Sequence, residues 1–472
     1  MPEIDFSIFR GYDIRATVPD QLNERVVRLI GRAYASFLHR RQITEAVIVQ
    51  DNRLTSEKFK KYFAEELLNS GIDVIDNGLG LSPTMYFSQY HYLSKGGVMV
   101  TASHNPANYN GFKLACGFSD TLVTEEIQEL VKIIKNKKFK KYPRKGKYKK
   151  DDVFPYYLAD LKKRIKLDRK FKIVVDACNG PVGKFLPVIF REFGCTVIEQ
   201  NCNLDGNFPS GAADPTDKKV MERLAKRVLK EKADIGFAYD TDGDRLGIVD
   251  ENGRFVWNDV LVALFAKDIL SYMKGAKIIF NTLCSKIVSD TIVKSGGAPV
   301  IWLTGHSFIK AKLKEERAPF GGELSGHFFF MDNFYGHDDG AYTSLRLLQF
   351  LARKKISLAQ AIDELPKYFS SPEIKLGLAD DIKFKFIDIK ITSDIKKMFG
   401  KSAKYLSIDG IRADTKNEMA IIRASQNGPY MTIKFEAKTK DKYEFLRKEI
   451  SRILHSHREI DFSYGVNAEE IK

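Results

Sequence analysis

"VMVTASHNPANYNGFK", residues 98–113, begins as an apolar run and then turns abruptly polar. Gly97 to Val100 reads as a short buried strand. Pro106 biases Asn105 away from the helical region, so Ser103, His104 and Asn105 fall on a loop at a strand's carboxyl end. That is where open α/β sheets hold their ligands, which makes the trio the first candidate site.

Outward from this stretch, short β-branched runs alternate with amphipathic segments through three quarters of the chain. AVIVQ (46–50), KIVVDA (172–177), TVIEQ (196–200), IGFAY (235–239), KIIF (277–280) and PVIWL (299–303) read as buried strands, and helical periodicity runs over residues 23–40 and 56–70. The alternation predicts α/β units with parallel sheets covered on both faces. The pattern restarts after a basic stretch near residue 150, and again after IVDENGRFV, a hairpin turning at Asn252-Gly253. From about Ser370 the character changes: EIKLGL, MAIIRAS and MTIKFEA precede one helix over residues 440–455, an α+β arrangement. Four domains are expected, at residues 1–150, 151–256, 257–369 and 370–472.

At 472 residues with 44% hydrophobic and 29% charged side chains, the chain reads as an ordinary globular protein of several domains. No apolar run approaches the roughly 18 residues of a membrane span, and MPEIDFSIFR lacks the features of a signal peptide, so a cytoplasmic location is expected. The five cysteines are scattered and never spaced C-x-x-C, which argues against a disulfide framework and a thiolate zinc site. A net charge of +15 attracts anions. Its densest source, KNKKFKKYPRKGKYKK (135–150), interleaves tyrosines as a single-strand nucleic-acid binder does, but Pro143, Gly146 and its place between two α/β patterns favour a solvated linker and no specific nucleic-acid partner.

Three more stretches carry chemistry. In IGFAYDTDGDRLGIVD (235–250), Asp240, Asp242 and Asp244 alternate, so an extended backbone puts them on one side, and a curl at Gly243 would close them on one ion. All-oxygen ligation suits Mg²⁺ before Ca²⁺ and does not suit zinc. An EF-hand is excluded because its sixth position requires glycine and here holds Arg245. A rival remains at this point: a strand ending in D-x-D-G resembles the aspartyl phosphatases of the haloacid dehalogenase type, with Asp240 as nucleophile, although Asp244 departs from that pattern. FGGELSGHFFF (320–330) offers Glu323, Ser325 and His327 beside glycines, a mix suited to polyols. IIRASQNGPYMTIKF (421–435) offers Arg423, Ser425 and a polar turn as a phosphate clamp.

Together with FRGYDIR (9–15), TASHNP (101–106), NGFK (110–113), DTDGDR (240–245), TGHSFIK (304–310), GGELSGH (321–327) and RASQNGP (423–429), these stretches resemble, in family order, the α-D-phosphohexomutases, most closely the bacterial phosphomannomutase/phosphoglucomutase branch. The resemblance implies three related mixed α/β domains plus a smaller α+β C-terminal domain around a central cleft. It implies a mutase that interconverts hexose 1-phosphates and 6-phosphates through a phosphoserine and a hexose 1,6-bisphosphate. Ser103 matches the phosphoserine, flanked by His104. Asp240, Asp242 and Asp244 match the Mg²⁺ ligands, which the serine phosphate completes. Arg245 matches a residue offsetting charge on the transferring group, and Arg15 or Lys113 is a candidate to move the hydroxyl proton. Glu323 and Ser325 match the grip on O3 and O4, and Arg423, Ser425 and Asn427 match the loop for the phosphate not in transfer. Tyr12, Arg15, Lys113, His306 and His327 match further cleft residues.

Three positions depart from the branch. Asn427 stands for a common threonine, Leu283 for a frequent lysine and Ala16 for a frequent glycine, which bears on substrate preference more than reaction type. Phosphoglucosamine mutase is the near alternative, disfavoured by Leu324 where its members carry glutamine. Sugar phosphates are the expected partners, with no membrane partner and a monomer or weak dimer as the assembly.

Overall fold

The computed structural model describes residues 4–140, 142–211, 213–426 and 428–471. They fall in two compact units, Met1–Asn258 with Ser325–Ile362, and Asp259–Leu324 with Asp363–Lys472.

The first sheet comprises β1 (Ile14–Thr17), β2 (Glu45–Gln50), β3 (Asp73–Leu79), β4 (Gly96–Val100), β5 (Tyr109–Cys116) and β6 (Tyr148–Lys150), in the order β1-β5-β4-β2-β3-β6. β4 is buried at every position, as the uninterrupted apolar run requires. Helices Glu24–Arg40 and Ser56–Asn69 pack their apolar stripes on the sheet, and Phe63 meets Phe112 of β5 with ring centroids 4.9 Å apart. Asn23 caps the first of these helices by accepting from the Val26 amide.

The second sheet comprises β7 (Lys172–Asp176), β8 (Thr196–Gln200), β9 (Ile235–Tyr239), β10 (Leu246–Asp250) and β11 (Phe255–Val256), in the order β11-β10-β9-β7-β8. The expected parallel pairing holds among β2, β3 and β4 and among β7, β8 and β9. It fails at β5 and β10, which return antiparallel with Lys113 opposite Met99 and Leu246 opposite Tyr239. The connections there are too short for a parallel crossover, which needs a dozen residues or more. Both sheets are therefore mixed, and in each the turn into the antiparallel strand carries candidate residues.

In the second unit β12 (Lys277–Asn281) runs parallel to β13 (Ala298–Trp302) and β14 (Phe320–Gly322). β15 (Phe328–Phe330) belongs to the first unit, where Phe329 bridges to Asp338. The last sheet, of β16 (Phe369–Ser370), β17 (Ile374–Gly377), β18 (Lys404–Leu406), β19 (Ile411–Asp414), β20 (Glu418–Ala424), β21 (Tyr430–Ala437) and β22 (Asp461–Val466), is antiparallel. Helix Lys440–His455 covers it through Leu446, Ile450 and Leu454. The α+β character expected of the tail is the one observed.

The basic stretch is not a plain linker. Lys135 ends a helix, Tyr142 stacks on His39 with centroids 3.7 Å apart, and β6 adds an edge strand to β3. Its side chains in β6 remain exposed, so hydration of the cations and pairing of the backbone are both satisfied. The five cysteines are free, and no helix among the described residues is long and apolar enough to cross a membrane.

Candidate active site

The serine loop is held from below by one guanidinium. Arg53, 3% exposed, donates to the carbonyls of Ser103 (2.6 Å), Asn105 (2.7 Å), Pro106 (2.7 Å) and Tyr109 (3.0 Å), and its Nε donates to Asp51 at 3.1 Å. Carbonyls that face inward must find partners, and the five N–H groups of arginine meet four of them here. Burial pushes the Arg53 pKa down while Asp51 opposes the shift. Asp51 in turn accepts from the Ser56 hydroxyl, and Asn110 donates to Thr55 and Ser56 at 2.9 and 3.0 Å. Ser103 itself has φ +50°, a left-handed conformation uncommon for a residue with a side chain, and its amide donates to Thr101 Oγ1 at 2.9 Å.

That conformation brings the Ser103 hydroxyl to the turn between β9 and β10. It donates to Asp240 Oδ2 at 2.7 Å, and Arg245 donates to both partners, from Nε to Asp240 Oδ2 at 2.9 Å and from Nη2 to Ser103 Oγ at 3.1 Å. His104 Nδ1 lies 3.3 Å from the same hydroxyl. Gly243 has φ +71°, the curl that the alternating aspartates need. One carboxylate oxygen from each of Asp240, Asp242 and Asp244 then lies within 4.8 Å of the others, and all three side chains are fully buried.

Lys113, arriving on β5, donates to Asp242 Oδ2 at 2.6 Å and to Asp244 Oδ2, and Ser82 donates to Asp242 at 2.5 Å. Burial pushes Asp240 up to about 7, with Arg245 opposing and the neighbouring aspartates adding to the rise. Burial and the charge of Asp242 likewise push Asp244 up to about 7. Burial works against ionised Asp242 too, but Lys113 and Ser82 outweigh it and hold that carboxyl well below its ordinary range. Burial disfavours the Lys113 ammonium, and the aspartates overcome that and raise its pKa. Asp242 Oδ1 and Asp244 Oδ1 are buried and accept no hydrogen bond from the described residues, with His327 Nδ1 3.8 Å from the latter. Three converging carboxylates with two such oxygens fit a hard divalent cation.

The remaining candidates of the first unit gather nearby. Arg15 donates from Nε to Asp13 Oδ2 and from Nη1 to Asn105 Oδ1, both at 2.7 Å, which ties β1 to the serine loop. Tyr12 is buried, Ser325 half-buried, and His327 Nδ1 lies 2.8 Å from Oδ2 of buried Asp338. In the second unit, buried Glu323 accepts from the Gly305 amide at 2.7 Å, His306 opens helix His306–Glu316, and Arg423 Nε donates to Asp409 at 2.7 Å. The Ser425 amide closes the hairpin by donating to the Tyr430 carbonyl at 2.9 Å. Leu283 is buried. Asn427 lies outside the described residues.

Sequence reasoning missed Arg53, Asp51, Asp13, Ser82, Asp338 and Asp409. Asp13 lies inside FRGYDIR and was open to notice. The Arg53 contacts span 50 to 56 residues and leave no local trace.

Three family models match in succession: phosphoglucomutase/phosphomannomutase alpha/beta/alpha domain I over residues 7–141, domain II over 155–253 and domain III over 257–369. Among curated proteins, the phosphomannomutase/phosphoglucomutase of Pseudomonas aeruginosa is 36% identical over 446 residues, 94% of this chain and 95% of that protein. A phosphoglucomutase of Neisseria meningitidis is 33% identical over 457 residues, 97% of this chain and 98% of that protein. Among solved structures, a phosphoglucomutase/phosphomannomutase family protein from Burkholderia thailandensis superposes with a TM-score of 0.88 at 34% identity, covering 96% of this chain and 98% of its own. The serine loop and the aspartate turn fall within the first two matched domains, and with likeness sustained over nearly its whole length this chain belongs to the phosphoglucomutase/phosphomannomutase family.

Proposed function

We propose that the chain is a phosphohexomutase that interconverts the 1- and 6-phosphates of glucose and mannose. Ser103 would be the phosphoryl relay and a hexose 1,6-bisphosphate the bound intermediate. One observation carries the reading: the Ser103 hydroxyl, presented by one sheet, meets Asp240 and Arg245, presented by another, beside two further buried aspartates.

The phosphoryl group on Ser103 Oγ passes to the free hydroxyl of a hexose monophosphate. The bond from phosphorus to the serine oxygen breaks, a bond to the sugar oxygen forms, and the proton given up by the sugar hydroxyl is balanced by one taken up at Ser103 Oγ. The bisphosphate turns end for end, and its other phosphate returns to Ser103, which leaves the isomeric monophosphate. Arg245, within 3.1 Å of Oγ, is placed to offset charge on the group in transfer. Arg15, fixed by Asp13 and Asn105, and Lys113 are the proposed groups that manage the hydroxyl proton, with His104 beside the relay. Mg²⁺, held by Asp240, Asp242, Asp244 and the Ser103 phosphoryl group, supplies charge stabilisation when bound.

Glu323 and Ser325 are assigned to O3 and O4, Arg423, Ser425 and Asn427 to the distal phosphate, and Tyr12, His306 and His327 to the lining. Glucose and mannose differ at C2, so a grip on O3 and O4 accepts both, in line with the double name of the Pseudomonas relative. Sugar phosphates do not cross bilayers, which puts the enzyme with them in the cytoplasm, as a monomer or weak dimer.

The test is a coupled assay with glucose 1-phosphate, mannose 1-phosphate and glucosamine 1-phosphate, each with Mg²⁺ and a trace of the bisphosphate. Turnover of the first two, lost by about a thousandfold or more in Ser103→Ala, is expected. Preference for glucosamine 1-phosphate would reassign the substrate. A labelled phosphoenzyme released by hydroxylamine would make Asp240 the nucleophile instead, whereas phosphoserine resists that treatment.

A further inference from the structure

The way Arg423 is held leads past its role as a clamp. Its Nε donates to Asp409 Oδ2 at 2.7 Å, and the same oxygen accepts from the Thr282 hydroxyl at 3.0 Å and the Thr304 amide at 3.1 Å. One residue further, the Gly305 amide donates to Glu323 Oε1 at 2.7 Å. Arg423 and Glu323 are therefore joined through one carboxylate and one peptide unit.

The surroundings leave that carboxylate little freedom. Asp409 is 8% and Arg423 5% exposed. Gly410, with φ +78°, seats the turn so closely that a Cβ there would lie 2.2 Å from the Ile422 carbonyl oxygen and 2.6 Å from Arg423 Cα. Arg412, fully buried, donates to the carbonyls of Thr282 and Cys284 at 2.6 and 2.7 Å and to Asp414, which fastens the same turn to the loop after β12. With Nε held by Asp409, the plane of the Arg423 guanidinium is set, and with it the direction in which its terminal nitrogens face.

We infer that Asp409 is a positioning residue: it fixes the Arg423 guanidinium at a set distance from the Glu323 carboxylate, so that the phosphate grip and the hydroxyl grip measure a hexose phosphate as one rigid gauge. The inference rests on the roles given above to Arg423 and Glu323. A substrate with its phosphate and its O3/O4 edge at the right separation meets both grips without reorganisation, and a displaced guanidinium meets one at the expense of the other.

The test uses the full chain with Mg²⁺, reading turnover of glucose 1-phosphate and, in parallel, its binding by calorimetry, which needs no turnover. Asp409→Ala is expected to raise KM and the dissociation constant about tenfold or more with kcat within about threefold. Asp409→Asn, whose amide oxygen accepts the same bonds, is expected to restore both to within about threefold of wild type. In an Arg423→Lys background, Asp409→Ala is expected to add less than about twofold, because its effect passes through the guanidinium. If the alanine variant melts below the assay temperature, Asp409→Glu, which moves the carboxylate out by one methylene, carries the same expectation. Unchanged affinity in a folded alanine or glutamate variant, or an asparagine variant as impaired as alanine, overturns the inference and leaves the mutase reading standing. Wild-type protein that binds glucose 1-phosphate in an Asp409-dependent way without converting it removes the mutase reading and keeps this inference, and wild-type protein that does not bind it removes both.

Discussion

Asp240 and Asp244 are buried carboxyls pushed up to about 7, and any cation they bind must displace their protons. Affinity for Mg²⁺ is therefore expected to climb on the order of tenfold per pH unit between pH 6 and 7 and to level off above about pH 8. Titrations at several pH values read this directly, and a flat profile would contradict the electrostatics. The stability of the metal-free protein has the opposite sign. A carboxyl whose folded pKa exceeds its unfolded value favours the folded state at low pH and loses that contribution as pH rises through about 7. The melting temperature without metal is thus expected to be lower at pH 8 than at pH 6 from these two groups, and the gain on adding Mg²⁺ larger at pH 8.

Among the elements, the turns at the ends of β4 and β9 bring Ser103 to the three aspartates, and the first of them is kept in shape by Arg53. Arg53→Lys retains the charge but brings three N–H groups where four carbonyls and Asp51 are now served. It is expected to cut turnover about a hundredfold through a misplaced Ser103. Arg53→Met also strands Asp51 and is expected to destabilise the protein by about 3 kcal/mol or more, read by denaturant melts. Legibility in the sequence divides along the same line. Ser103, His104 and the aspartates stand in short contiguous runs whose polarity contrasts with the buried strands before them, so they were readable. The antiparallel sense of β5 and β10 was not read from their composition, because a strand buried on both faces looks the same in either direction, although the short turns already ruled out crossovers. Arg53 and Asp409 were invisible because the buried hydrogen bonds that give them their places run to distant segments and leave no local period or spacing.

For the whole molecule, a net charge of +15 acts on substrates that carry about two negative charges. The ratio kcat/KM is expected to fall a few-fold between about 20 and 200 mM salt while kcat changes little, since screening weakens encounter more than chemistry. The basic stretch at residues 135–150 is expected to give oligonucleotides only weak attraction that fades steeply with salt. At this scale the succession of α/β patterns and the change near residue 370 were legible, because periodicity and β-branched content survive any tertiary arrangement. The edge strand β6 was not, since Tyr148–Lys150 is exposed throughout and its pairing with β3 is made by backbone that every sequence shares.

The bond from the Ser103 hydroxyl to Asp240 exists only while the serine bears a hydrogen. Esterification erases that donor and sets a dianion against an interior acid, turning a fastening between two sheets into a point of repulsion that Arg245 offsets in part and added positive charge relieves further. Stored in a chelator, an unesterified preparation is therefore expected to withstand heat better than its phosphorylated counterpart, and Mg²⁺ to narrow the gap. Matched thermal scans of the two forms would expose the difference.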